Sequence, residues 1–202
     1  MMKYIKHTFF LLAMLISIIS CKNEKKSEIN LVKETEIISN ADLGLKYAMT
    51  TKAQLGKNLM GTIQSKGTEE AVTFCNVKAF PLTDSMAVVH KAIIKRVSDK
   101  PRNSNNAASL KEIDHIKKFK REIASGQKMV PIIEPLDNDS IQFYYPIITN
   151  KMCLQCHGEP NKDIKPAVFE KLTALYPEDK AVGYSEDQVR GIWSITMKNQ
   201  EN

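Results

Sequence analysis

From residue 41 to 65 the apolar positions Leu45, Ala48, Leu55, Leu59 and Ile63 fall at mixed three- and four-residue spacing, as on one face of an amphipathic helix, and Gly67 breaks the pattern. Thr68 then offers an N-cap hydroxyl, and Glu69 and Glu70 suit a first turn. A second helix is therefore expected from Glu69 to about Phe80, closing before Pro81, with Ala71, Cys75 and Ala79 recurring every four residues on its apolar side. The run Val88 to Val97 fits a strand through Ile93 and Ile94, and Ser98 to Ser109 is polar enough for a loop. Leu110 to Ala124 reads as a helix, because Ile113, Ile116, Phe119 and Ile123 share a face and Gly126 lies beyond the end.

The period then changes from helical to alternating. Met129 to Leu136 and Ile141 to Thr149, separated by Asp137-Asn138-Asp139-Ser140, read as a hairpin, in which Ile141, Phe143 and Tyr145 alternate with Gln142 and Tyr144. Pro131 and Pro135 make the first arm an edge strand or a partly irregular one. A Cys-rich loop, a short helix from Pro166 to Tyr176 and a last strand from Gly191 to Met197 complete the pattern. Helices first and antiparallel strands later predict an α+β domain with helices on one face of a sheet.

The Cys-rich loop carries the clearest chemistry. Cys153-Leu154-Gln155-Cys156-His157 is a Cys-x-x-Cys-His segment, the pattern of covalent c-type haem attachment, in which two thiols add to the haem vinyls and the adjoining imidazole ligates iron. A zinc site would need a second ligand pair, and a thioredoxin-like dithiol would open a helix within a βαβ pattern. Neither context is present. One covalently attached haem c is the expected cofactor.

The first twenty residues have a basic start, Lys3 and Lys6, and an uncharged run from Thr8 to Ile19 that is short for a membrane span. The run ends in Ile18-Ile19-Ser20-Cys21, which resembles the lipobox of bacterial lipoproteins. Residues 1–20 are thus expected to be a lipoprotein signal peptide, Cys21 the acylated residue that meets membrane lipid, 21–40 a polar tether, and 41–202 a folded domain in the periplasm or at the cell surface.

Composition agrees with one globular domain and a tether. The chain of 202 residues is 43% hydrophobic and 26% charged, with 8 Gly and 8 Pro, which argues against a disordered, collagen-like or multi-span protein. A net charge of +6 is too modest to imply nucleic-acid binding. Between Lys91 and Lys128, 11 Lys or Arg stand against 4 Asp or Glu, a surface able to steer an acidic redox partner, although a solvated helix face is the plainer reading.

With Cys21, Cys153 and Cys156 assigned, Cys75 has no partner for an intrachain disulfide. On the residues alone it is a small buried hydrophobe or a second axial ligand to iron. His90, His115 and methionines such as Met60, Met86, Met129 and Met152 are other possible ligands, with His115 read as an exposed imidazole on a lysine-rich helix.

Several segments together resemble a bacterial family of c-type haem domains with a PAS-like fold, encountered alone and as the sensory part of signalling proteins. They are Ala71-Val72-Thr73-Phe74-Cys75-Asn76, Arg96-Val97-Ser98 followed by Pro101-Arg102-Asn103, the Tyr145-Pro146-Ile147 approach to the motif, and Tyr176 to Tyr184 before Arg190-Gly191. The resemblance implies a PAS-like antiparallel sheet with N-terminal helices packed on it. It also implies Cys75 as the ligand opposite His157. Where family members often carry prolines after the Arg-Asn pair, this chain has Ser104 and Ala108. Arg96 and Arg102 lie within the resembling region and suit haem propionates, and Tyr145 is expected to pack near the porphyrin.

These readings make the chain a non-catalytic module that senses redox state or a diatomic gas and passes the signal to a separate protein partner. Cys75 would be its moving part. The alternative is a periplasmic electron-transfer cytochrome. A peroxidase-like enzyme would need a positioned acid–base group, and no motif supplies one.

Overall fold

The structure, a computed structural model, describes residues 38–200; the expected signal peptide, Cys21 and nearly all of the expected tether lie outside the described residues. Helix α1 runs Asn40–His90, followed by β1 (Ile93–Val97), a single 3₁₀ turn (Ser104–Asn106), α2 (Leu110–Ala124), β2 (Ile132–Leu136), β3 (Ser140–Ile148), α3 (Lys151–His157), α4 (Pro166–Leu175) and β4 (Val189–Lys198). The fold class is α+β, as expected.

The four strands form one antiparallel sheet in the order β1-β4-β3-β2. β2, the strand with Pro135, is at an edge, where a missing N–H breaks no inner ladder. Alternation sorts the side chains onto two faces. Ile94, Ile141, Phe143, Trp193 and Ile195 meet Ala48 of α1 in one core, while Val97, Tyr144 and Ile192 meet Ile116 and Phe119 of α2 in another. The sheet is therefore covered on both faces, not on one as the order of elements suggested. α2 carries a single apolar stripe that cannot be left in water, and the outer face of β3 and β4 is the free surface that matches it. His115, read as an exposed imidazole, is drawn into this packing: its side chain is only 15% exposed, 3.2 Å from Glu134 and against the Tyr144 ring.

α1 is two helices joined across Gly67, whose φ of 87° and ψ of 170° place it in a region that favours glycine. We call them α1a and α1b. The expected end before Pro81 does not occur, and α1b continues to His90. Pro81 and Val77, whose carbonyl loses its helical partner to the proline, both lie on the exposed side, where water can serve that carbonyl.

α1a comes so close to the sheet that a Cβ on Gly44 would overlap the Phe143 ring. Gly44→Ala, which should stabilise an exposed helix, is here expected to destabilise the protein by about 1–3 kcal/mol through overpacking, read as a lower midpoint in urea unfolding. An unchanged or raised midpoint would contradict the contact.

Candidate functional site

The Cys-x-x-Cys-His segment is not a loop but the helix α3. Asn150 starts it, its side chain accepting from the backbone N–H groups of Met152 and Cys153, a cap the pattern alone did not reveal. Helical spacing puts Cys153 and Cys156 on one face with His157 next to it. The helix ends at Gly158, where a Cβ would run into Asp163 at 2.5 Å and the Leu154 carbonyl at 2.7 Å.

The C-terminal end of α3 is held from outside. His157 Nδ1 lies 2.7 Å from the Ala181 carbonyl, and the His157 and Gly158 carbonyls accept from the N–H groups of Tyr184 and Gly183 at 2.9 Å. A carbonyl can only accept, so Nδ1 carries the proton and Nε2 keeps its lone pair. Burial, together with the charges of Arg102 and Arg190, holds the His157 pKa well below its usual value, so the imidazole is neutral. This is the form that binds a metal.

Arg102 ties the same region together. Its Nε pairs with Asp179 at 2.8 Å, and its Nη2 donates to the carbonyls of Cys156 at 2.5 Å and Ala181 at 3.3 Å. Asp179 in turn accepts from the Ala181 N–H at 2.7 Å.

α1, β1, α3 and β4 enclose a cavity of about 710 Å³ that takes in Cys75, Cys153, Cys156 and His157 together. Its size falls within the range of about 300–1,000 Å³ usual for cofactor pockets. Most of the wall is apolar. Its charged residues are Lys52, Lys57, Arg96, Arg102 and Arg190, with no Asp or Glu among them, a lining that favours an apolar ligand bearing anionic groups. Arg96 is braced through Nη2 against the Ala79 carbonyl at 3.4 Å, one turn beyond Cys75, while its buried Nε has no hydrogen-bond partner. An orphaned guanidinium N–H on such a wall is a donor suited to a carboxylate. Two thiols, a neutral imidazole with a free Nε2, a third thiol and an unmatched guanidinium are donors that fit haem.

Burial makes two of the thiols, Cys75 and Cys156, less acidic than a free cysteine. Burial pushes Cys156 up to about 11, with Arg102 lowering it and the neighbouring thiols raising it, and burial likewise raises Cys75 against the lowering charges of Arg96 and Arg102. Neither resembles the low-pKa cysteine of a disulfide oxidoreductase, and Cys75, Cys153 and Cys156 are all free.

Other candidates are placed elsewhere. His90 stacks on Tyr47 at 4.2 Å and meets the Thr50 hydroxyl at 2.8 Å, away from the cavity. Of the four methionines considered, only Met152 reaches the wall. Tyr145, expected beside a porphyrin, is not part of the wall; it packs into the α1-facing core, its ring 6.4 Å from Phe143. Its strand register explains this, because Tyr145 pairs with Trp193 and only Trp193 extends to the cavity. Of the eleven basic residues in 91–128, Lys111, Lys117, Lys118, Lys120 and Arg102 face carboxylates, but only Glu134 and Asp179 among those carboxylates lie outside the segment, so most of its basic excess is left without an ion-pair partner in these contacts. Sequence reading missed the roles of Arg190, Ala181 and Asp179; the available signal was that they sit in segments carrying the family resemblance.

The profile of a family described as Tll0287-like matches residues 23–198 of the chain. Among solved structures, the fold is similar to that titled the crystal structure of the cyanobacterial heme-protein Tll0287, with a TM-score of 0.52 and 22% identity over 76% of this chain and 94% of that one. No curated protein matches.

Proposed function

This chain belongs to the Tll0287-like family, and on that footing we propose that it is an exported, lipid-anchored protein holding one covalently attached haem between His157 and Cys75, a sensor of redox state or of a diatomic gas. The observation that carries the reading is the meeting, in one cavity without carboxylates, of the Cys153/Cys156 pair, the neutral His157 and Cys75. Bound haem supplies a one-electron iron centre and, when a ligand leaves, a coordination position.

The chain's own residues do the rest. Cys153 and Cys156 fix the cofactor, and the Ala181 carbonyl sets the tautomer that directs His157 Nε2 into the cavity. Arg96 offers its free Nε–H to a propionate, whereas Arg102, two of whose nitrogens already serve Asp179 and backbone carbonyls, chiefly holds α3 in place.

Cys75 is the switching element. Its thiolate would suit ferric iron; once a redox partner supplied one electron, Sγ would take a proton from solvent, in keeping with the raised pKa of the buried thiol, and would withdraw with the helix that carries it. The chain acts through a separate protein partner, without catalysis and without nucleic acid.

Absorption spectra of the oxidised and reduced protein, made with a c-type haem maturation system, test this beside Cys75→Ala. Thiolate features are expected in the oxidised protein, absent from Cys75→Ala and lost on reduction. Identical spectra for both proteins would remove Cys75 from the iron. Thiolate features that persist on reduction would leave a periplasmic electron carrier as the better reading.

A further inference from the structure

Arg190 enters the site from β4, the strand that runs through the middle of the sheet. Its Nε lies 3.3 Å from His157 Nδ1, the nitrogen already committed, as a donor, to the Ala181 carbonyl. Two N–H groups therefore face each other, and the contact is not a hydrogen bond but a fixed positive charge set against the imidazole. Such a placement needs restraint. Arg190 Nη1 donates to Ser98 Oγ at 2.9 Å and to the Lys100 carbonyl at 3.2 Å, and the guanidinium lies 5.5 Å from the centre of the Tyr184 ring. None of these partners is a carboxylate. Asp179, the acid that acts on Arg190 electrostatically, is already paired with Arg102.

We propose that Arg190 is a positioning residue for His157 whose unneutralised charge raises the reduction potential of the iron that His157 ligates. This rests on the haem reading above. The oxidised centre carries one more positive charge than the reduced one, so a nearby buried cation disfavours oxidation, and the poorly screened interior sustains the effect. Guanidinium stays protonated throughout the working pH range, so the bias is constant. It also opposes the thiolate of Cys75, which lowers the potential from the other side.

Redox titration of the haem-loaded protein, beside Arg190→Gln and Arg190→Lys, separates charge from shape. The potential is expected to shift negative in Arg190→Gln and to stay near the native value in Arg190→Lys, with unchanged axial-ligand spectra in both. Equal potentials in native protein and Arg190→Gln, or an equal negative shift in both variants, would overturn the proposal. If Arg190→Gln retains no haem, Arg190→Met, which keeps an aliphatic stem against Tyr184, is measured instead with the same expectation. Loss of haem from both neutral variants would also overturn it, because Arg190 would then serve assembly and not potential. Native protein that takes up no haem would refute the underlying reading instead.

Discussion

Cys153→Ser/Cys156→Ser is expected to lose all covalently bound haem. The two thiols project from adjacent turns of α3, and a serine hydroxyl cannot form the thioether that each is proposed to make with a vinyl group. The substitution leaves the Asn150 cap, the His157 contact with Ala181 and the Arg102 brace in place, so the fold and a weaker, dissociable haem site persist. Mass spectrometry after acid–organic extraction reads the outcome: haem mass stays with the native chain and is absent from the double variant. The reduced spectrum of any haem still bound should move to longer wavelength, since restored vinyls extend the conjugation. Each single variant should keep one thioether, and Cys75→Ala should keep both. Extraction-resistant haem in the double variant would refute attachment through α3.

Arg102→Ala is expected to destabilise the protein by about 3–5 kcal/mol, the range for breaking a buried pair by removing one partner. Asp179 is 10% exposed, and without Arg102 its charge has no cationic partner at bonding distance among the described residues. The same change releases the Cys156 and Ala181 carbonyls, and with them the segment that fixes the His157 tautomer. Arg102→Lys should recover only part of the loss, because an ammonium cannot fork between the carboxylate and two carbonyls. Urea unfolding of both variants measures this. A cost below about 1 kcal/mol for Arg102→Ala, the value of an exposed pair, would contradict the buried role.

Much of the local structure was legible because it is governed by local rules. α2 spans the residues that its apolar spacing predicts, Gly67 breaks α1, and the alternation around Phe143 identifies β3. The helix through Pro81 was not legible, since it depends on which side of α1b faces water. Nor was the helical state of α3, whose capping by Asn150 competes with a motif that suggests only a tight turn. The motif itself, Cys75 and Arg96 could be found in the sequence, yet the groups that His157 Nδ1 faces come from 24 and 33 residues away. Those contacts belong to tertiary structure. The exclusion of Tyr145 has the same origin: alternation gave it the correct face of the sheet but not its distance along that face from the cavity.

The position of β4 also sets the order in which the molecule can be completed. It is the last strand in the sequence, yet it lies between β1 and β3, which do not pair with each other. Until residues 189–198 arrive, β1 and the β2–β3 hairpin have no shared ladder, and Arg190 and the inner wall that Trp193 provides are absent. If the chain is threaded N-terminus first across a membrane, as proposed, Cys153 and Cys156 emerge before the sheet can close behind them. The proposed attachment at these thiols would then have a natural window, open until the final strand inserts.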